Sequence, residues 1–181
     1  MKQYVAIIRG INVGGHNRVN MKMLTAALVK AKLKDVWTYI QSGNVVLRSS
    51  SSRASDLEQL FNKILKKHFN ADVPVIVREE KEWLRTVTRN PFLDRTDDRT
   101  KLLVTFLASK PTAADVRRAE ETTFPHDDFV IDGKDIYLFC KNGYGKTDIP
   151  NTFFEKQLGV TATTRNWRTV MQLADMLKVE R

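Results

Sequence analysis

The chain has 181 residues, 42% hydrophobic and 28% charged, with one cysteine, Cys140. Such a composition fits a soluble globular protein with a sizeable core; it excludes an internal disulfide framework and a helical membrane span, which needs about 18 consecutive apolar residues. The formal charge is +9 and one-sided: residues 1–90 hold 16 Lys+Arg against 7 Asp+Glu, whereas residues 91–181 hold 14 against 14.

In chain order, "QYVAIIR" is a short run rich in apolar and β-branched residues and predicts a strand. Met21, Leu24, Leu28 and Ala31 then fall on one helical face, with Asn20 as N-cap. "DVWTYIQ" and "NVVLRS" predict two strands joined by a tight turn at "SGN". The serine run 49–52 reads as a mobile loop. It leads to a helix in which Ser55 and Glu58 form a capping box and Leu57, Phe61, Ile64 and Leu65 form the apolar stripe. "DVPVIVR" is a fourth strand whose proline suggests an edge position.

A linking helix, "EEKEWLRTV", must stop near Asn90 because Pro91 follows. "KLLVTFLA" is a strand and "TAADVRRAEE" a helix capped by Thr112. "DFVID" and "DIYLFC" are strands joined through "DGKD". "NTFFEKQLG" is a helix capped by Asn151 and ended by Gly159. "NWRTVMQLADMLK" is an amphipathic helix burying Trp167, Val170, Met171, Ala174 and Leu177. The expected fold is α+β: two ferredoxin-like (βαββαβ) subdomains in tandem, with antiparallel sheets and helices on one face. The expected domains are 1–80, strongly basic, and 81–181, with the linking and C-terminal helices.

This topology makes the first and second strands of a unit parallel, so the loop after strand one and the hairpin after strand two leave the sheet at one edge. "RGINVGGHNRV" and "IQSGN" are therefore expected to meet, bringing together Arg9, Asn12, Gly14, Gly15, His16, Asn17, Gln41, Ser42 and Asn44. Glycines admit a ligand close to backbone N–H groups, and arginine offers a permanent planar fork to phosphate or carboxylate. The alternative is a turn whose glycines supply positive φ and whose arginine pairs locally. The spacing matches neither G-x-G-x-x-G nor a P-loop.

In the second half, "NGYGKT" fails as a P-loop because Cys140 stands where the first glycine is required. It reads as a turn from which Lys146 reaches an acid or a ligand. "TTRNWRT" places Arg165 and Arg168 beside an expected helix start, where Thr164 or Asn166 caps and free N–H groups suit an anion. His16 and Ser42 share an edge, but no acid orients the histidine. No residue set spells out a metal site, and no cofactor is expected. An RRM-like base platform is excluded, since "NVVLRS" carries no aromatic residue.

The stretches "IIRGINVGGHN", "TYIQSGNVV", "NPF" and "GYGKTDIPNTFFEKQLGVTATTRNWRTV" resemble the bacterial family known as domain of unknown function 1697 (DUF1697), nearly end to end. The resemblance implies two ferredoxin-like subdomains and focuses attention on residues 9–17, 39–44 and 143–169. It supplies no catalytic residues. Where the family usually shows asparagine after the tryptophan, this chain has Arg168, the weakest member of any site.

The function expected from these residues is a binding module for a phosphate-bearing ligand, nucleotide or nucleic acid. Arg9 would anchor it, with Lys146, Arg165 and Asn166 as further ligand-binding residues. The alternatives are an enzyme acting on a small phosphorylated or carboxylated substrate, with His16 as acid or base and Ser42 as donor or nucleophile, or a protein–protein adaptor. "MKQYVAIIRG" has too short an apolar run for a secretory leader, so the expected setting is the cytoplasm, with no membrane partner.

Overall fold

Apolar β-branched runs alternate with helical stripes twice along the chain, and a computed structural model, which describes residues 1–51 and 53–179, folds them into two βαββαβ units. By compactness the units comprise Met1–Arg85 with the chain from Leu173 onward, and Thr86–Gln172. The boundary expected from the sequence lies five residues earlier, at 80/81.

The first unit runs β1 (Lys2–Ile8), α1 (Met21–Lys30), β2 (Lys34–Tyr39), β3 (Asn44–Ser49), α2 (Ala54–Phe69), β4 (Val75–Glu79). Its strands lie in the order β2-β3-β1-β4, each antiparallel to its neighbour. That is the ferredoxin-like order. Side chains alternate across a strand, so Tyr4, Ala6 and Ile8 join Val45 and Leu47 in a core with Leu24, Leu28, Leu57, Phe61 and Leu65 of the two helices. Asn20 caps α1 as expected, accepting from the N–H groups of Lys22 and Met23.

The second unit runs β5 (Leu102–Leu107), α4 (Ala113–Glu120), β6 (Asp127–Asp132), β7 (Asp135–Cys140), α5 (Asn151–Leu158), β8 (Ala162–Asn166). Its order is β6-β7-β5-β8, again antiparallel throughout. Leu103, Leu107, Ile136, Leu138, Cys140 and Ala162 meet Phe154 and Leu158 of α5. Phe124, Phe129, Phe153 and Phe154 add edge-on ring pairs with centroids 5.1–6.3 Å apart. Each fourth strand passes directly into a helix, α3 (Glu80–Thr88) after β4 and α6 (Trp167–Lys178) after β8. Among the described residues no helix is long and apolar enough to cross a membrane.

Several local expectations are corrected. α2 starts at Ala54 behind Arg53, which makes no side-chain cap, and Glu58 instead accepts the N–H of Val77 at 3.0 Å. An edge strand has spare N–H groups that need partners, and this competes successfully with the capping box. Residues 162–166 form β8, a strand absent from the sequence reading, because the threonine-rich "TATT" favours extended backbone; α6 starts directly after it at Trp167, between Arg165 and Arg168 as expected. The cap position of α5 is Pro150, making Asn151 the first helical residue. The hairpin turn is Ile40–Gly43, with Asn44 already in β3. In α6, Leu173 is buried and Met171 only half so. The serine run is tied down: Tyr4 donates to the Ser51 carbonyl at 2.8 Å, and the Ser51 hydroxyl donates to Asp56 at 3.0 Å. Ser52 lies outside the described residues.

Gly43 has φ +80°, and a Cβ there would stand 2.8 Å from Ile8 Cβ and 2.9 Å from Ile11 Cδ1. Positive φ and overpacking both oppose a side chain. Gly43→Ala is expected to cost about 2 kcal/mol or more; a chemical denaturation midpoint equal to the parent's would contradict this account of the turn.

Candidate functional site

Two loops meet at one edge of the first sheet, as the parallel course of β1 and β2 requires. The Ile8 N–H donates to Gly43 O at 2.8 Å, and the Asn12 side-chain amide donates to Gln41 O at 2.8 Å and to Val19 O at 2.9 Å. Asn12 Oδ1 accepts the Val19 N–H at 2.8 Å. With φ +56°, Asn12 turns its side chain along its own loop and imitates a strand partner for Val19. Arg9 is half-buried, and its backbone N–H donates to Pro74 O at 2.9 Å.

Val13–His16 closes a small β-turn, in which the His16 N–H donates to Val13 O at 3.1 Å and Gly14 and Gly15 have φ +60° and +81°. Positive φ at both central residues is what a primed hairpin turn demands. The Asn17 side chain donates to Gly10 O at 3.2 Å. Asn44 is fully buried, and its amide donates to Tyr39 O at 3.2 Å and to the Ser42 hydroxyl at 3.0 Å. The residues expected to share an edge thus do share it. However, the amides of Asn12, Asn17 and Asn44 are engaged in holding the two loops, where the sequence reading had them as donors to a ligand. Gly14, Gly15, His16 and Gln41 are exposed and Ser42 is half-buried.

A concavity on this unit lies beside the turn. A groove of about 570 Å³ has Asn12 and Gly15 at one side, Arg18, Val19, Asn20 and Met23 along it, and His68 and Phe69 from the end of α2. Val19 is buried and Phe69 half-buried, whereas Met23 is 57% exposed. Arg18 and His68 are exposed on the rim. The first acidic residue of the whole chain is Asp35, so residues 1–34 contribute seven cations and no anion. Between Gln59 and Ala71, α2 and its exit add Lys63, Lys66, Lys67 and His68, again with no acid. Among the described residues Lys66 meets Asp72 at 3.9 Å, while Arg18, Lys22, Lys63 and Lys67 form no ion pair. Arg18, Met23, His68 and Phe69 were missed because fifty positions separate the two walls; the acid-free opening was the available signal.

The remaining expected site residues belong to the second unit. Lys146 is exposed in a 3-10 turn, Tyr144–Lys146. Arg165 sits in β8 opposite Val104, two residues before α6 begins at Trp167; its guanidinium donates to Thr163 Oγ1 at 3.0 Å and to Thr164 O at 2.9 Å. Burial lowers its pKa to about 10, partly offset by Tyr144, and it stays charged at neutral pH. Asn166 caps α6 by accepting the Thr169 N–H at 2.8 Å. The register of β5, β7 and β8 puts these residues at the end of the sheet where β5 begins, opposite to the end where the equivalent of the 9–20 loop emerges. That equivalent has only five residues, 108–112, against twelve.

In the same region, buried Asp127 Oδ2 accepts the Thr147 hydroxyl at 2.6 Å and the Asp148 N–H at 2.7 Å. The "GYGKTD" stretch is thereby pinned as a structural loop. The Cys140 thiol donates to Thr147 at 3.5 Å, and burial pushes its pKa up to about 11.

The chain belongs to the DUF1697 family: the family described as "Protein of unknown function (DUF1697)" matches residues 1–137. No curated protein matches the sequence. Its fold is similar to that of conserved bacterial protein SP0830 from Streptococcus pneumoniae, with a TM-score of 0.76 and 24% identity over 98% of this chain and 99% of that one.

A thiol with a raised pKa stays protonated, and the thiolate is the nucleophile. Native Cys140 is expected to resist alkylation at pH 8 and to react at once in denaturant. Because the unfolded thiol ionises first, this contribution to stability is complete below pH 9 and is lost as pH rises towards 11. Rapid native labelling at pH 8 would contradict the burial.

Proposed function

We propose that this chain is a binding module for a phosphate-bearing anionic ligand, a nucleotide or nucleic acid, and that the groove beside the opening loop receives it. The observation that carries the reading is the groove's charge. Arg18 and His68 stand on its rim, and the segments forming it hold cations without acids. Like charges gathered on one surface raise the local potential and attract a polyanion. The first unit as a whole has 17 Lys+Arg against 9 Asp+Glu, and the second 13 against 12. Since the two units share a fold, charge and loop length are where they differ.

Arg18 replaces Arg9 as the anchor in this reading. An exposed arginine on a groove rim can present its fork to phosphate, whereas Arg9 is half-buried at the sheet edge. Arg165 and Asn166 bond within the second unit, Lys146 is an exposed turn residue of that unit, and this reading requires none of the three. A cytoplasmic setting, where nucleotides and nucleic acids are abundant, belongs to the same proposal, and a single buried cysteine suits it.

Fluorescence anisotropy of a labelled oligonucleotide across a salt series tests the reading. Binding is expected to weaken steeply as salt rises, since each phosphate contact releases a counterion. Arg18→Ala should weaken it about tenfold and make the log–log slope shallower by roughly one contact, with Lys146→Ala close to the parent. Absence of binding at low salt, or indifference to Arg18→Ala, would overturn the assignment.

A further inference from the structure

Resting on the phosphate-binding reading above, we infer that the groove's occupant is single-stranded nucleic acid, one base of which lies on the apolar floor while its phosphates meet Arg18 and the neighbouring cations. Charge alone asks only for phosphate. The floor asks for more. Met23 leaves 57% of its surface in solvent beside Val19 and Phe69. Apolar surface in a groove bordered by polar groups is open to the face of a base. The His68 and Phe69 rings lie 6.4 Å apart, inclined at 57°, and add aromatic surface to one end. A thioether and aromatic rings are suited to the polarisable face of a nucleobase.

A base offers its face only when unstacked, which favours a single strand over a duplex. A strand is favoured over one nucleotide because the cations continue beyond the groove. Lys22 and Lys30 are exposed on α1, and Lys63 and Lys67 on α2, more charge than one phosphate needs. The groove volume of about 570 Å³ falls in the range of sites that hold a small organic group. On the other face of the sheet the central strands carry Val5, Ile7 and Val46, all aliphatic and buried, and the end of α6, with Met176 and Val179, lies beside Trp37 of the edge strand. A base is therefore taken on the helical side, unlike in an RRM.

The test uses the full chain and five probes: labelled dT12, an abasic 12-mer with the same phosphates, a 12-base-pair duplex, AMP as competitor, and anionic phospholipid vesicles. Parent, Met23→Ala and Arg18→Ala proteins are compared after their melting temperatures have been matched. The expected result is that dT12 binds at least about fivefold more tightly than the abasic strand, the lower end of what one base stacked on a side chain contributes. Met23→Ala should erase most of that preference, whereas Arg18→Ala should weaken both strands alike. Equal affinity for dT12 and the abasic strand, or a preference untouched by Met23→Ala, would remove the base seat and leave the phosphate reading standing. AMP competing as well as dT12 would remove the strand, as would a duplex bound more tightly than dT12. Vesicles displacing dT12 would identify a lipid surface as the occupant and overturn the proposal. If none of the probes bound at low salt, the phosphate reading itself would fail with it.

Discussion

At the edge of the first sheet the backbone of Gly43 lies where any side chain would strike Ile8 and Ile11, and the site depends on that close approach. Because the hairpin can lie flat against the end of β1, Gly43 O accepts from Ile8 and Gln41 O is within reach of Asn12. Asn12 in turn fixes Val19, the buried residue just before the cap of α1. The wall of the groove is positioned by that chain of contacts, from a glycine through an asparagine to a helix start. It is a steric condition first and a hydrogen-bonding one second: the amide bonds form only because the backbones are close.

The two units show how one architecture is built twice from different residues. Arg78 in β4 faces Val5 of β1, and Arg165 in β8 faces Val104 of β5; both are the next-to-last residue of their strand, and both donate from Nη1 to the carbonyl of the residue before them. Glu58 of α2 accepts an N–H of β4, and Glu155 of α5 accepts an N–H of β8, each at 3.0 Å. A glutamate covering an edge strand satisfies a donor that would otherwise pair with another chain. Shared devices of this kind are set by topology. The twelve-residue loop and the acid-free cations are found in the first unit only, so topology does not require them.

The strands and helices were legible because periods of two and 3.6 are imposed by burial, and burial is what the apolar residues record. The failures have specific causes. "TATTRN" lacks an apolar stripe, so the strand formed by its β-branched threonines is not legible, although the helix start that follows it is. Ser55 and Glu58 satisfy the local pattern of a cap, but the acceptor was claimed by a strand nineteen residues away. The meeting of residues 9–17 with 40–44 was legible from strand direction alone. Which of their side chains would face outward was not, because hydrogen-bond partners are settled only in the fold.

The asparagines make the general point. A loop rich in amides looks like a set of donors waiting for a ligand, yet a loop with several positive-φ residues also has backbone groups that no regular ladder satisfies. Asn12 and Asn17 have φ of +56° and +47° themselves, and their side chains bond to the loops whose course they help to set. Arg18 has a different fate because no acid lies near it in the sequence and, among the described residues, none pairs with it in the fold. An amide is readily satisfied by the nearest carbonyl, whereas an exposed arginine with no acid in reach is left to solvent, and residues 1–34 contain no acid. What this surface leaves exposed is therefore charge over an apolar floor, with the amides as the framework that holds it in place.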